Sequence, residues 1–189
     1  MQFPKKYNCL SKNEFADGDY KIIPIRYEDR SDILKWRNEQ IYHLRQDKVL
    51  TKESQDNYFR ETVASIFEQQ KPNQILFSYL KNDKCIGYGG LVRINWIDKN
   101  AEISFLINSD LEKKQFHFHW SNYLKMIESL AFDELNFHKI YVYAFDLRPQ
   151  LYEVLLDSGY FSDAILKEHC YFNGRYLDVV IHSKLNKQP

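Results

Sequence analysis

The chain has no surplus of either charge: 26 Lys and Arg balance 26 Asp and Glu across 189 residues. That balance excludes the basic excess expected of a general nucleic-acid binder or of a protein that holds anionic membranes. Glycine (6) and proline (5) are scarce while 44% of residues are hydrophobic and 16% aromatic, which excludes a disordered or low-complexity chain. No apolar run approaches the ~18 residues of a membrane-spanning helix. The opening MQFPKKYNCL has two lysines but no apolar stretch behind them, so no secretory signal is expected. Cysteine is sparse too: Cys9, Cys85 and Cys170 are odd in number, widely spaced and without a CxxC pair. They read as free thiols of a reducing compartment, the cytoplasm. His117 and His119 would diverge on a helix and have no evident third ligand, so no metal is expected.

What is present is patterned. Residues 1–19 lack periodicity and read as an arm, 186–189 as a tail, and 20–185 as one domain. Tyr20 to Arg26 is short and β-branched, a strand that suits Pro24 at its edge. Asp29 or Ser31 can cap a helix carrying Ile33, Leu34 and Trp36. Thr51 can cap a second one carrying Tyr58, Phe59, Val63 and Phe67. Alternation over 75–80, the Asn82-Asp83 turn and the run Cys85 to Arg93 predict a hairpin, with Ala101 to Ile107 as a third strand. From Phe118 to Phe137 the period turns helical, with Trp120, Tyr123, Leu124, Ile127, Leu130, Ala131 and Leu135 on one stripe. Lys139 to Phe145 reads as a strand, Pro149 to Gly159 as a short helix with a glycine C-cap, and Asn173-Gly174 as the turn of a closing hairpin. This order predicts an α/β (α+β) fold: a mixed, mostly antiparallel sheet of about seven strands with helices on both faces.

Five segments carry a family resemblance: Ile33-Leu-Lys-Trp-Arg-Asn38, Ile86-Gly-Tyr-Gly-Gly-Leu91, Ala101-Glu-Ile-Ser-Phe105, the stretch Ala131 to Ile140, and Gly174-Arg-Tyr-Leu-Asp-Val-Val180. In order and spacing the chain resembles the GNAT family of acetyl-CoA-dependent N-acetyltransferases over about residues 20–185. It looks most like the branch of ribosomal-protein and nucleotide-amino-sugar acetyltransferases, and Trp36-Arg37-Asn38 points to the amino-sugar side. The resemblance implies acetyl-CoA as acyl donor and a small-molecule amine as acceptor, most plausibly an amino sugar linked to a nucleotide. Transfer to protein N-termini, and a binding protein without turnover, stay open.

Two departures accompany it. The family's pyrophosphate loop reads (Gln/Arg)-x-x-Gly-x-(Gly/Ala), because a phosphate must approach bare backbone at a helix N-terminus. Here it falls on Gln115-Phe116-His117-Phe118-His119-Trp120, with aromatics at both glycine places. A register three residues earlier restores no glycine either. The family's Asn and acid Tyr fall on Arg148 and Leu155; Tyr152, about one turn earlier, could stand in as the acid.

Acetyl transfer needs a deprotonated amine, donors for the thioester oxygen and a proton for the leaving thiolate. Glu102, a lone carboxylate in a largely apolar strand, is the candidate base; alternation could equally turn it to solvent. By resemblance, the backbone of Phe105, Leu106 and Ile107 would pair with the pantetheine arm. Gln115, Phe116, His117, Phe118, His119, Trp120 and Arg148 would form the cofactor site, with Lys113 and Lys114 adding charge. A solvated loop with Trp120 in the core is the alternative. Trp36, Arg37 and Asn38 would contact the acceptor, unless Trp36 packs under the sheet and Arg37 is a surface cation. Zero net charge permits self-association, a homodimer included.

Overall fold

The structure, a computed structural model, describes residues 1–44 and 46–187. In chain order its strands and helices are β1 (Phe15–Asp17), β2 (Tyr20–Pro24), α1 (Arg30–Glu39), α2 (Lys52–Tyr58), α3 (Ala64–Ile66), β3 (Gln74–Lys81), β4 (Lys84–Asn95) and β5 (Asn100–Ile107). There follow α4 (Ser109–Lys114), α5 (Phe116–Glu128), β6 (Lys139–Phe145), α6 (Pro149–Asp157), β7 (Phe161–Phe172) and β8 (Arg175–Leu185). The strands form one sheet in the order β1-β2-β3-β4-β5-β6-β8-β7. Eight strands replace the expected seven because residues 15–17 fold back on β2 across Gly18.

Local chemistry explains the elements. The Thr51 side chain accepts from the Ser54 N–H and the Ser54 hydroxyl from the Thr51 N–H, a reciprocal cap that starts α2. Asn82-Asp83 (φ 47° and 61°) and Asn173-Gly174 (φ 49° and 80°) are left-handed pairs that match the twist of a two-residue hairpin. Asp29 does not cap α1; its carboxylate is buried against Arg26 and the Ser78 hydroxyl. Gly89 and Gly90 let β4 lie against its neighbours. A Cβ on Gly89 would meet the Ser104 carbonyl, and one on Gly90 (φ 151°) the Ile75 carbonyl.

The segment read as an arm is packed into the core. Phe3, Tyr7, Leu10 and Phe15 are buried, Tyr7 stacks on Phe67 at 4.3 Å, and its hydroxyl donates to the Leu76 carbonyl at 2.6 Å. These side chains are spaced irregularly, so no periodicity announced them. The tail begins tied down, with Asn186 donating from its backbone to His138, while residues 188–189 lie outside the described residues.

One irregularity positions everything that follows. β5 and β6 are parallel and pair only from Asn100↔Lys139 to Glu102↔Tyr141. β5 continues against β4 as far as Ile107↔Gly87, and β6 against β8 as far as Phe145↔Val179. Beyond Glu102 the two strands therefore part. Phe105 faces α5, stacked on Tyr123 at 3.9 Å. Glu102, Ser104 and Leu106 alternate to the other face, where Arg37 of α1 reaches Tyr88, the partner of Leu106. The helices α1 and α5 thus cover opposite faces.

Candidate active site

A cavity of about 280 Å³ opens where β5 and β6 part. Residues 102–105 and 142–145 form its two sides, Trp120 lies on the α5 face, and Arg37, His43 and Arg148 close its other end. Gaps between parted strands leave backbone groups without a strand partner, which a ligand can satisfy. The Lys99 carbonyl accepts from His138 on the β6 side and the Asn108 N–H donates to Ile86 on the β4 side. Alternation from both ends turns the backbone groups of Ile103, Phe105 and Ile107 into the gap. Of the three residues expected to pair with pantetheine, then, only Phe105 offers its full backbone. Leu106 is turned to β4, and the Ile107 carbonyl accepts from Gln40 at 2.7 Å.

Glu102 stands at the last β5–β6 pair, 2% exposed, and lines the cavity rather than facing solvent. Its Oε2 lies 3.3 Å from Nη1 of Arg93. Arg93 takes φ 50° at a bulge in β4, where pairing with β5 slips between Val92 and Asn95. Bulges re-aim side chains, and this one brings a guanidinium to the carboxylate.

The loop ahead of α5 departs from expectation. Residues 109–114 form a helix of their own, capped by Asn108, whose side chain accepts from the Asp110 N–H at 2.9 Å. The first α5 amide bonded within the helix is that of His119, to the Gln115 carbonyl, so the N–H groups of 116–118 point out of the helix end. The loop side chains mostly point elsewhere. His119 is buried, its ring nitrogens 3.1 Å from the Tyr79 hydroxyl and from Gln115 Oε1. Burial, helped by Lys81, pulls its pKa down to about 4, so it offers no positive charge to a phosphate. His117 turns outward to Asp157 at 2.9 Å, and Phe118 is 50% exposed against Tyr20. Trp120 is a core residue edge-on to Phe105 that also walls the cavity. Phe116 lies under the Arg148 guanidinium at 5.8 Å.

Arg148 is buried and placed by the turn that starts α6. It pairs with Glu112 at 3.2 Å and lies 3.5 Å from Nε2 of His43. Burial raises the Glu112 carboxyl, against the pull of Arg148. His43 is pulled down to about 3 by burial and by Arg148, and is neutral. His43 and Glu112 had no sequence signal: one sits in a single helical turn, the other in a polar run without period.

Trp36-Arg37-Asn38 divides its labour. Trp36 is buried in the core, as α1 spacing with Ile33 demands. Asn38 clamps the chain after α1: it donates to the Leu50 carbonyl and accepts from the Leu50 N–H and from Gln46. Only Arg37 lines the cavity.

Tyr152 is set outside the cavity, stacked on His182 with its hydroxyl donating to Asp146 at 2.9 Å. Burial and that carboxylate both raise its pKa, which makes it a poorer acid. Leu155 is fully buried in the core. The phenol on the cavity wall is instead Tyr143, 3.3 Å from Cys170 Sγ. As one tyrosine of an alternating strand, it carried no mark in the sequence. Among the described residues no group of side chains could hold a metal ion.

Comparison with known proteins agrees with this frame. Spermidine N(1)-acetyltransferase of Vibrio cholerae serotype O1 is 30% identical over 94 residues, 50% of this chain and 53% of that protein. The match thus spans about half the length of that relative. The crystal structure of spermidine N-acetyltransferase from Vibrio cholerae in complex with CoA and spermine superposes with a TM-score of 0.79 at 19% identity, covering 91% of this chain and 98% of that one. A dodecameric structure of the enzyme from the same organism gives 0.73 at 20% identity, covering 91% and 96%. At such identities the superpositions establish the fold. These relatives are spermidine acetyltransferases and not of the ribosomal-protein or amino-sugar branch. The acetyltransferase (GNAT) domain model matches residues 22–181, from β2 into β8. By that match, with the parted strands at its centre, the chain belongs to the GNAT acetyltransferase family.

Proposed function

We propose that the chain is an N-acetyltransferase that moves an acetyl group from acetyl-CoA to a primary amine of a small molecule. The observation that carries the reading is Glu102, a buried carboxylate at the point where β5 and β6 part, facing the cavity between them. In this scheme the pantetheine arm lies in the gap along the Phe105 backbone. Glu102 takes a proton from the acceptor ammonium, and the freed nitrogen attacks the thioester carbon. A C–N bond forms and the C–S bond breaks; Tyr143 protonates the departing sulfur, and its phenolate takes back the second proton that the nitrogen sheds as it becomes the amide. The N–H groups heading α5 and the Arg148 side chain stand in for the glycine cradle at the pyrophosphate.

The acceptor is chosen by experiment. Spermidine comes first because similar proteins are named for it, and amino sugars, free or nucleotide-linked, come second by the resemblance of the sequence. The assay is release of free thiol from acetyl-CoA with each amine in turn. Glu102→Gln should lower kcat/KM about 100-fold or more and Tyr143→Phe by a smaller factor, both with CoA affinity unchanged. An unimpaired Glu102→Gln would remove the base. Thiol release with none of the amines, despite CoA binding, would favour a binding protein without turnover, for which the missing glycines and Leu155 speak.

A further inference from the structure

Building on the acetyl-transfer reading of this cavity, we infer that Arg37 binds an oxyanion, a phosphate or a carboxylate, carried by the acceptor amine. Four described arginines are withdrawn from solvent. Arg26, Arg30 and Arg148 each lie against a carboxylate, at 2.7, 2.7 and 3.2 Å. Arg37 has none among the described residues. Its Nε donates to Gln46 Oε1 at 3.1 Å and its Nη1 to the Tyr88 hydroxyl at 2.7 Å. These two neutral partners fix the plane of the guanidinium and leave other N–H groups for a ligand in the cavity it lines. Taking a guanidinium out of water without a counter-charge is unfavourable, and a bound anion removes that cost. The planar fork suits carboxylate and phosphate oxygens.

The charges around the cavity sum in the same direction. Among the described residues Glu102 is matched by Arg93 and Glu112 by Arg148, and the charge with no opposite partner is that of Arg37. Arg37 and Glu102 share one face of the sheet, opposite the face that α5 covers. An acceptor with its amine at Glu102 can therefore extend its anion towards Arg37. A polycation would meet this end of the cavity with like charge.

The test uses matched acceptors: glucosamine against glucosamine 6-phosphate, and putrescine against 4-aminobutyrate. Wild-type protein should favour the anionic member at least tenfold in kcat/KM in one pair, and which pair does so separates phosphate from carboxylate. Arg37→Gln should bring that ratio close to one through KM, Arg37→Lys should restore part of it, and unaltered thermal melting would show the variants folded. Preference for putrescine, or an equal loss on both members of a pair, would overturn the inference. So would a variant that weakens plain CoA while keeping the acceptor ratio, since the anion would then be the donor's. Calorimetry of the same amines with CoA present reads binding without turnover. Binding of an anionic amine that Arg37→Gln abolishes supports the site even where no thiol is released, and then only the catalytic reading fails. No binding of either anionic amine to wild type overturns the inference.

Discussion

Burial and the nearby Arg148 hold the His43 imidazole at about 3, and burial with Lys81 holds His119 at about 4, both below the ordinary 6.5. As pH falls below about 6.5 the unfolded chain takes up protons that these rings refuse in the fold. Their contribution to stability is complete above that pH and declines as pH drops towards 4 and then 3. Each group adds a slope of up to about 1.4 kcal/mol per pH unit. Urea melts at pH 8, 6.5 and 5 should show stability falling on the acid side, and His119→Gln should flatten the fall. An equally steep fall in the variant would assign it to other groups. At this scale the sequence was legible where chemistry broke a pattern. Glu102 stood out as a carboxylate among apolar residues, and Arg148 stood where the family keeps an Asn. Tyr143 and His43 broke nothing, because a tyrosine fits any strand and a histidine any irregular turn. Trp36 is buried and Asn38 holds Leu50, orientations that a motif does not carry because it names residues without saying which way each side chain turns.

Among the elements, β4 is the most constrained. At Gly89 a methyl group would meet the Ser104 carbonyl and also the Tyr123 hydroxyl at 2.6 Å, which itself donates to that carbonyl at 3.1 Å. Gly89→Ala should therefore cost about 1–3 kcal/mol, as overpacking does. Chemical denaturation followed by far-UV circular dichroism measures it, and an unchanged midpoint would mean that β4 can slide away. Strands and hairpins were the legible elements, since alternation and the Asn-Gly and Asn-Asp turns carry their own geometry. Helix α4 was not: its six residues, Ser-Asp-Leu-Glu-Lys-Lys, bear one apolar side chain and no repeat. It is fixed by the Asn108 cap and by the burial of Glu112 against Arg148, a contact 36 residues away in the chain.

At the scale of the whole molecule, the N-terminal residues close the core over β3 and α3, and long-range contacts of that kind leave no local trace. The sheet is held as two panels, β1 to β5 and β6 to β8, joined at only three residue pairs. Within the sheet this is a short seam. A molecule lying along the gap, with polar groups bonded to both margins, would act as the missing rungs of the ladder and tie the two margins together. Coenzyme A at a hundred times its dissociation constant would add about 2.7 kcal/mol of stability. That gain should be concentrated in slower hydrogen exchange of β6 and β8, with β3 and β4 little changed. Uniform slowing across all eight strands would mean that the panels already move as one, and that the seam is stiff before any ligand arrives.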